Sequence, residues 1–516
     1  MSGFGKGSKR TPRRQLTAAG ILLLPLALAL GGCAGKPDES LRGTTGFVQG
    51  FIGGVVADEP RAALAGREIL SAGGTAADAA VATYFALAVT LPSRATLGGG
   101  GVCLVLDPPK DKAEMLDFIA PGPKSAPGAG AGGPAATPMN PRGFFVLHSR
   151  YGRLKWAQLA APAANMARFG VPVSRAFVRD LAPAAAVIAA NAETRRIFGR
   201  PDGSGPLREG DRMIQVDLAA LLDRIRNQGP GDMYVGEDAR QLVQAYRTVG
   251  LALDRDDLRA AVPVWRDPIA VPLESLGRRA IAYFAVPPAA GGAVAARIIA
   301  SLADKERYAR AGANDRAPLF IEAATRARAE TPPVLALAEG SAATAFVAAD
   351  REGMVVACAI TPHHPFGTGR IAPGTGILAA SVSGAGAQGP AALAAMIVNG
   401  RGRDGAIFAA AASGGAAAAT AMAEVAARTL FEGRLLEDAL GQARLHPAGP
   451  GGPVQHESHL DPGLMQELSR RGLRLGVAPA LGAVNALACS AGLRDKPETC
   501  ALRADPRSLG LAAEAN

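Results

Sequence analysis

Apolar positions along this chain gather into two kinds of run, mostly helical in the first half and mostly strand-like in the second. PRAALAGREILSAGG, Pro60 to Gly74, has proline in its first turn and glycines after its last, which predicts a helix. Thr75 caps a second helix, AADAAVATYFALAV, and Asp78 completes a capping box. WAQLAAPAANMARFG and VDLAALLDRIRNQG are amphipathic, and the pattern from Ser149 to Leu302 is mostly helical. The break PPAAGG, Pro287 to Gly292, precedes another helix.

The strand-like runs begin with GVCLVLD, entered through the polyglycine Gly98 to Gly101. That polyglycine is no phosphate loop: no Gly-Lys-Ser/Thr follows, and it leads into a strand instead of a helix. TAFVAAD and GMVVACAIT form a predicted hairpin around Arg351-Glu352-Gly353. GILAASVS and AIFAAAASGG are further predicted strands, followed by the helix AAAATAMAEVAARTLFEG. VQHESHL, a helix, RLGVAP and VNALACS close the pattern. Residues 122–137, rich in Gly, Pro and Ala, are expected to form a flexible surface loop. Apolar strands in the middle and helices outside predict an α+β protein with an α-sheet-sheet-α core. No internal repeat is visible.

Composition adds little except at the N-terminus. The 516 residues suggest two to four domains or one large unit, and 19% charged with 48% apolar residues indicates a globular chain. MSGFGKGSKRTPRR carries five cations and no acid, and Leu16 to Leu30 is apolar apart from Thr17. Leu30-Gly-Gly-Cys33 follows, so residues 1–32 have the form of a secretory signal, too short in its apolar core for a comfortable span. The last four residues resemble the bacterial lipoprotein box, which implies lipidation at Cys33 and a tether over 33–46. An ordinary signal peptide or signal anchor is the alternative, and Arg13-Arg14 leaves a twin-arginine route open. Removing residues 1–32 lowers the formal charge from +10 to about +5, and without zinc-finger spacing or basic-aromatic interleaving this charge does not indicate nucleic acid. Cys103 and Cys358 lie in apolar runs and are expected as buried small hydrophobes. Cys489 and Cys500 bracket a polar decapeptide and are spaced to close a disulfide loop in an oxidising compartment.

ADEPRAALAGREILSAGGTAADAAVATYFALAVTLPSRATLGGGGVCLVLD resembles the opening of the γ-glutamyltranspeptidases. SRYGRLKWAQLAAPAANMARFGVPVS, DMYVGEDAR, VWRDPIAVPL, VPPAAGG, FGTGRIAPGTGIL, Ser413-Gly414-Gly415, ARLH and ADPR continue the resemblance in order, from about Val55 to Arg507. It implies the four-layer αββα sandwich of the N-terminal-nucleophile hydrolases. It also implies a precursor that cuts itself, here into a large-subunit-like region (47–340) and a small-subunit-like region (341–516) that stay associated. The new N-terminal threonine attacks γ-glutamyl amides such as glutathione, its own α-amine taking the hydroxyl proton. No cofactor or metal is implied: His363 and His364 are adjacent on a strand and face opposite ways.

Residue by residue the family chemistry thins. Registering the strand on Phe346 and Asp350 puts Ala343 at the nucleophile position and Thr344 at the second threonine. A shift of one residue would make Thr344 the nucleophile, and Ser341 is a second candidate. Thr361 matches the threonine that supports the nucleophile. Gly414 and Gly415 match the diglycine whose N–H groups face the oxyanion, although a strand-to-helix turn also calls for glycine. His363 replaces an asparagine near the substrate. Ile119 stands where an arginine holds the donor carboxylate, the acidic pair for the donor amine falls near Gly384 and Ala385, and the paired serines become Ala394-Ala395. The segment before Thr344 is also short for a self-cleaving precursor. Three functions follow as expectations: impaired or retargeted γ-glutamyl transfer or hydrolysis, a non-catalytic envelope lipoprotein binding a ligand or partner, or an amide hydrolase with another substrate.

Overall fold

The computed structural model describes residues 53–124, 134–274, 280–304, 307–331, 342–382, 391–400, 402 and 404–515. Val48–Asn516 form one compact unit. No described helix is long and apolar enough to cross a membrane. Cys33, where a lipoprotein box is expected, Ser341, Gly384, Ala385 and most of the loop expected at 122–137 lie outside the described residues.

Two antiparallel sheets sit face to face. The first runs in the order Leu511–Ala515, Gly53–Ala57, Ala342–Asp350, Val355–His363, Gly100–Asp107, Lys112–Phe118 and Val264–Arg266. The second runs Cys500–Arg503, Ala483–Cys489, Gly405–Ser413, Ala394–Gly400, Ala280–Phe284 and Ile269–Leu273. Each sheet therefore takes strands from both sides of residue 341.

Three apolar cores fill the three gaps of the resulting four layers. Helices Pro60–Ser71 and Ala76–Thr90 cover the first sheet around Phe85, Cys103, Phe346 and Cys358. Ala343, Ala345, Val347, Ile397 and Leu487 lie between the sheets. Helices Ala290–Ala303, Ala313–Glu330 and Ala417–Leu430 cover the second sheet around Ile298, Phe408 and Met422. The central strand Ala342–Asp350 is buried along its whole length, Phe346 and Ala348 towards the helices and Ala345 and Val347 towards the other sheet. Alanine-rich strands and helices let these layers approach closely.

The Thr75–Asp78 capping box forms as expected: Thr75 Oγ1 accepts from the Asp78 N–H and Asp78 accepts from the Thr75 N–H. Two expectations are corrected. Cys103 and Cys358 are not free hydrophobes; they face each other across neighbouring strands and form a disulfide. Their apolar runs concealed the pairing, because which strands become neighbours is decided by topology. GILAASVS contributes only the two-residue strand Ile377–Leu378, which pairs with Ile371–Ala372 in a small ribbon outside the main sheets. Cys489 and Cys500 also form a disulfide, across the edge pair of the second sheet.

Candidate active site

The ladder between Gly53–Ala57 and Ala342–Asp350 ends at Ala57 opposite Phe346, and the next residue, Asp58, reaches beyond it into the core. Its carboxylate gathers four donors. Thr344 Oγ1 donates to Oδ2 over 3.0 Å and the Ala345 N–H over 3.2 Å. Ser413 Oγ, from the second sheet, donates to the same oxygen over 3.3 Å. Asn485 Nδ2 donates to Oδ1 over 2.8 Å and to the Ala345 carbonyl over 2.7 Å. Asp58, Thr344, Ser413 and Asn485 are all buried. Burial pushes the Asp58 carboxyl above its usual range, while Arg94 and the donors pull it back. Arg94 is itself held in a fork by Asp180, at 2.6 Å to each carboxylate oxygen, and Ser93 donates to the same carboxylate.

Thr344 is thus brought to one carboxylate with Ser413, the residue before the Gly414-Gly415 turn. It is the third residue of its strand, not the first. The turn has φ of +113° at Gly414 and +62° at Gly415, both costly for a residue with a Cβ. A Cβ on Gly414 would also lie 2.6 Å from the Gly482 Cα. Gly414 is exposed, and neither glycine's N–H has a hydrogen-bond partner among the described residues. Two free N–H groups at a helix entrance suit a developing oxyanion.

Thr361 lies one strand over. Its hydroxyl donates to the Ala342 carbonyl and accepts from the His363 N–H at 2.8 Å, so it ties the start of the Thr344 strand to its neighbour. The pairing shifts between Ile360 and His363, and His363 adopts φ of +69°. This places the His363 ring in the interior near Ala120, with Nε2 buried and without a hydrogen-bond partner among the described residues. Burial lowers its pKa to about 4, so the imidazole is neutral near pH 7.

The region that the family pattern assigns to donor recognition is apolar. Ile119 is 1% exposed and Ala395 fully buried, and both share the inter-sheet core with Ala343. Asp58, Asn485 and Arg94 escaped the sequence reading. The only hint was polarity out of place: Asn485 interrupts VNALACS, and Asp58 directly follows the buried run GGVVA.

The family model for γ-glutamyltranspeptidases matches residues 62–336 and 322–515. Glutathione hydrolase proenzyme of Escherichia coli K12 is 28% identical over 388 residues, covering 64% of this chain and 65% of that protein. Glutathione hydrolase proenzyme of Pseudomonas aeruginosa is 34% identical over 267 residues, covering 48% and 45%. The chain therefore spans less than two-thirds of the length of either relative. The crystal structure of cephalosporin acylase from Bacillus halodurans is similar in fold, with a TM-score of 0.77 at 22% identity over 90% of this chain and 96% of that one. The match over most of the chain, on a four-layer αββα sandwich, makes this protein a member of the γ-glutamyltranspeptidase family.

Proposed function

We propose that this γ-glutamyltransferase-family protein is impaired in, or retargeted from, transfer and hydrolysis of γ-glutamyl peptides and glutathione. One observation carries the reading: Ala343, Ile119 and Ala395 share a single apolar core where the family pattern calls for a nucleophile, a carboxylate-binding arginine and a hydroxyl. An α-amino acid headgroup buried there would lack charged partners and lose several kcal/mol per unpaired ion, on the order of 3–5. The Thr344 hydroxyl, donated to Asp58 and wholly buried, serves this scaffold as a structural bond. In that role the protein is a non-catalytic envelope lipoprotein anchored through Cys33 on the periplasmic face, binding a ligand or partner.

A specific contact favours a second reading, an amide hydrolase with a donor other than γ-glutamyl. Asp58 lies 3.0 Å from Thr344 Oγ1 and is raised in pKa, which suits a proton acceptor. Thr344 Oγ would attack the amide carbonyl carbon as its proton passes to Asp58. The oxyanion would face the Gly414 and Gly415 N–H groups. Collapse would expel the amine, which recovers the proton from Asp58, and water would then release the acyl group by the reverse steps. Thr361 would hold the strand in place, and neutral His363 would accept a hydrogen bond from an uncharged small peptide or amide. No cofactor is required. If the chain is cut before Thr344 or Ser341, the two halves remain associated through the shared sheets.

Denaturing electrophoresis and a γ-glutamyl-anilide assay test both. The first reading expects one band and no anilide hydrolysis. Two fragments, with Thr344→Ala abolishing the cut, would replace it with the second reading, and anilide release would refute both.

A further inference from the structure

Away from the Asp58 site, helix Glu237–Thr248 and the short helix Arg255–Ala260 line one cleft. Arg240, Gln244 and Arg247 stand at i, i+4 and i+7 on the first helix, hence on one face. Arg255 and Arg259 face the same cleft from the second helix. Arg240 pairs with Glu237, and Arg259 with Asp256 at 3.0 Å. Arg247 and Arg255 have neither an ion pair nor a hydrogen bond among the described residues. Arg255 Nε is buried with no hydrogen-bond partner among the described residues. Arg240 and Gln244 also border a neighbouring cleft with Glu237, Thr248 and Thr375, and the two threonine hydroxyls donate to the Ala245 and Ala372 carbonyls.

A buried guanidinium nitrogen without an acceptor is costly unless a ligand supplies one. Guanidinium forks match planar carboxylates and tetrahedral phosphates in two-bond geometry. Forks from two separate helices favour the tetrahedral anion, which offers oxygens in several directions, where a carboxylate offers one edge. We propose that this cleft binds a phosphate-bearing ligand, with its phosphoryl oxygens between Arg247 and Arg255. The same phosphate chemistry is found in a soluble phosphate compound and in an anionic lipid headgroup.

Calorimetric titration of the full chain with inorganic pyrophosphate, and co-sedimentation with phosphatidylglycerol or phosphatidylcholine vesicles, test the site and separate the sources. Two charge-assisted partners are lost in R247A/R255A, so binding should weaken at least about tenfold. R247K/R255K keeps the charge but loses the fork and should fall between the two. Arg175 lies elsewhere on the surface with Glu209, so R175A should bind like the native chain. Pyrophosphate binding that follows this order identifies a soluble phosphate. Binding in this order to phosphatidylglycerol vesicles alone identifies a headgroup. No binding to either, or equal binding by native chain and R247A/R255A with unchanged thermal unfolding, overturns the site.

Discussion

The inter-sheet core has two ends of opposite character, both touching the start of the Ala342–Asp350 strand. At one end Asp58 accepts hydrogen bonds from Thr344, Ala345, Ser413 and Asn485. At the other, Ala343, Ile119 and Ala395 pack as plain hydrocarbon. The contrast teaches that the scaffold's polarity and the family's substrate chemistry are separable. A polar knot that joins two sheets is held by stability, because removing any member strands the others in the core. A substrate-binding group carries no such obligation, and an apolar residue in its place packs without penalty.

Breaking the polar end should have the largest effect. Asp58→Ala leaves two hydroxyls, one N–H of the Asn485 amide and a backbone N–H without their acceptor in the core and should lower unfolding free energy by about 3–5 kcal/mol in denaturant titration. A loss under about 1 kcal/mol would mean that the knot does not hold the sheets together. Ile119→Arg challenges the apolar end by restoring the family's side chain without a partner for it. It should cost about 3 kcal/mol or more by the same measurement, whereas near-neutrality would reveal room for a donor carboxylate.

Acid should sharpen the comparison next. His363 and His446 have pKa values lowered to about 4 and about 3 by burial, so the unfolded chain binds protons first. Their contribution is complete above the unfolded value of about 6.5 and is lost as pH falls towards 4, on the order of 3 kcal/mol each. Asp350, raised to about 6 by burial, acts with the opposite sign, since its contribution is present at low pH and lost as pH rises through 6. Unfolding midpoints measured from pH 7 to 4 should therefore fall, and Asp350→Asn should steepen the fall. The smallest effect belongs to Thr344→Val, which removes one donor to Asp58 while keeping the branched shape. It should cost about 1 kcal/mol and leave anilide turnover at background.

Local signals were strong enough to read most helices and strands directly. Proline before Arg61, the Thr75–Asp78 box and the Arg351-Glu352-Gly353 turn each act within a few residues, so the chain announces them. GILAASVS failed because a short apolar run does not say whether a partner strand exists; only Ile377 and Leu378 found one. The apolar character of the donor region was legible from Ile119 and Ala395, since a hydrocarbon side chain cannot pair with an ion in any fold.

The knot was not legible. Asp58 and Asn485 are 427 residues apart, and nothing in either neighbourhood anticipates the other. By itself the sequence determined the order of elements, the alternation that buries the Ala342–Asp350 strand on both faces, and the hydrocarbon at Ala343, Ile119 and Ala395. Tertiary structure alone decided that Cys103 meets Cys358, that Thr344 and Ser413 share one carboxylate, and that Arg247 and Arg255 face one cleft. Periodicity and side-chain chemistry are properties of neighbours along the chain, whereas a hydrogen bond between sheets depends on how distant strands come to lie side by side.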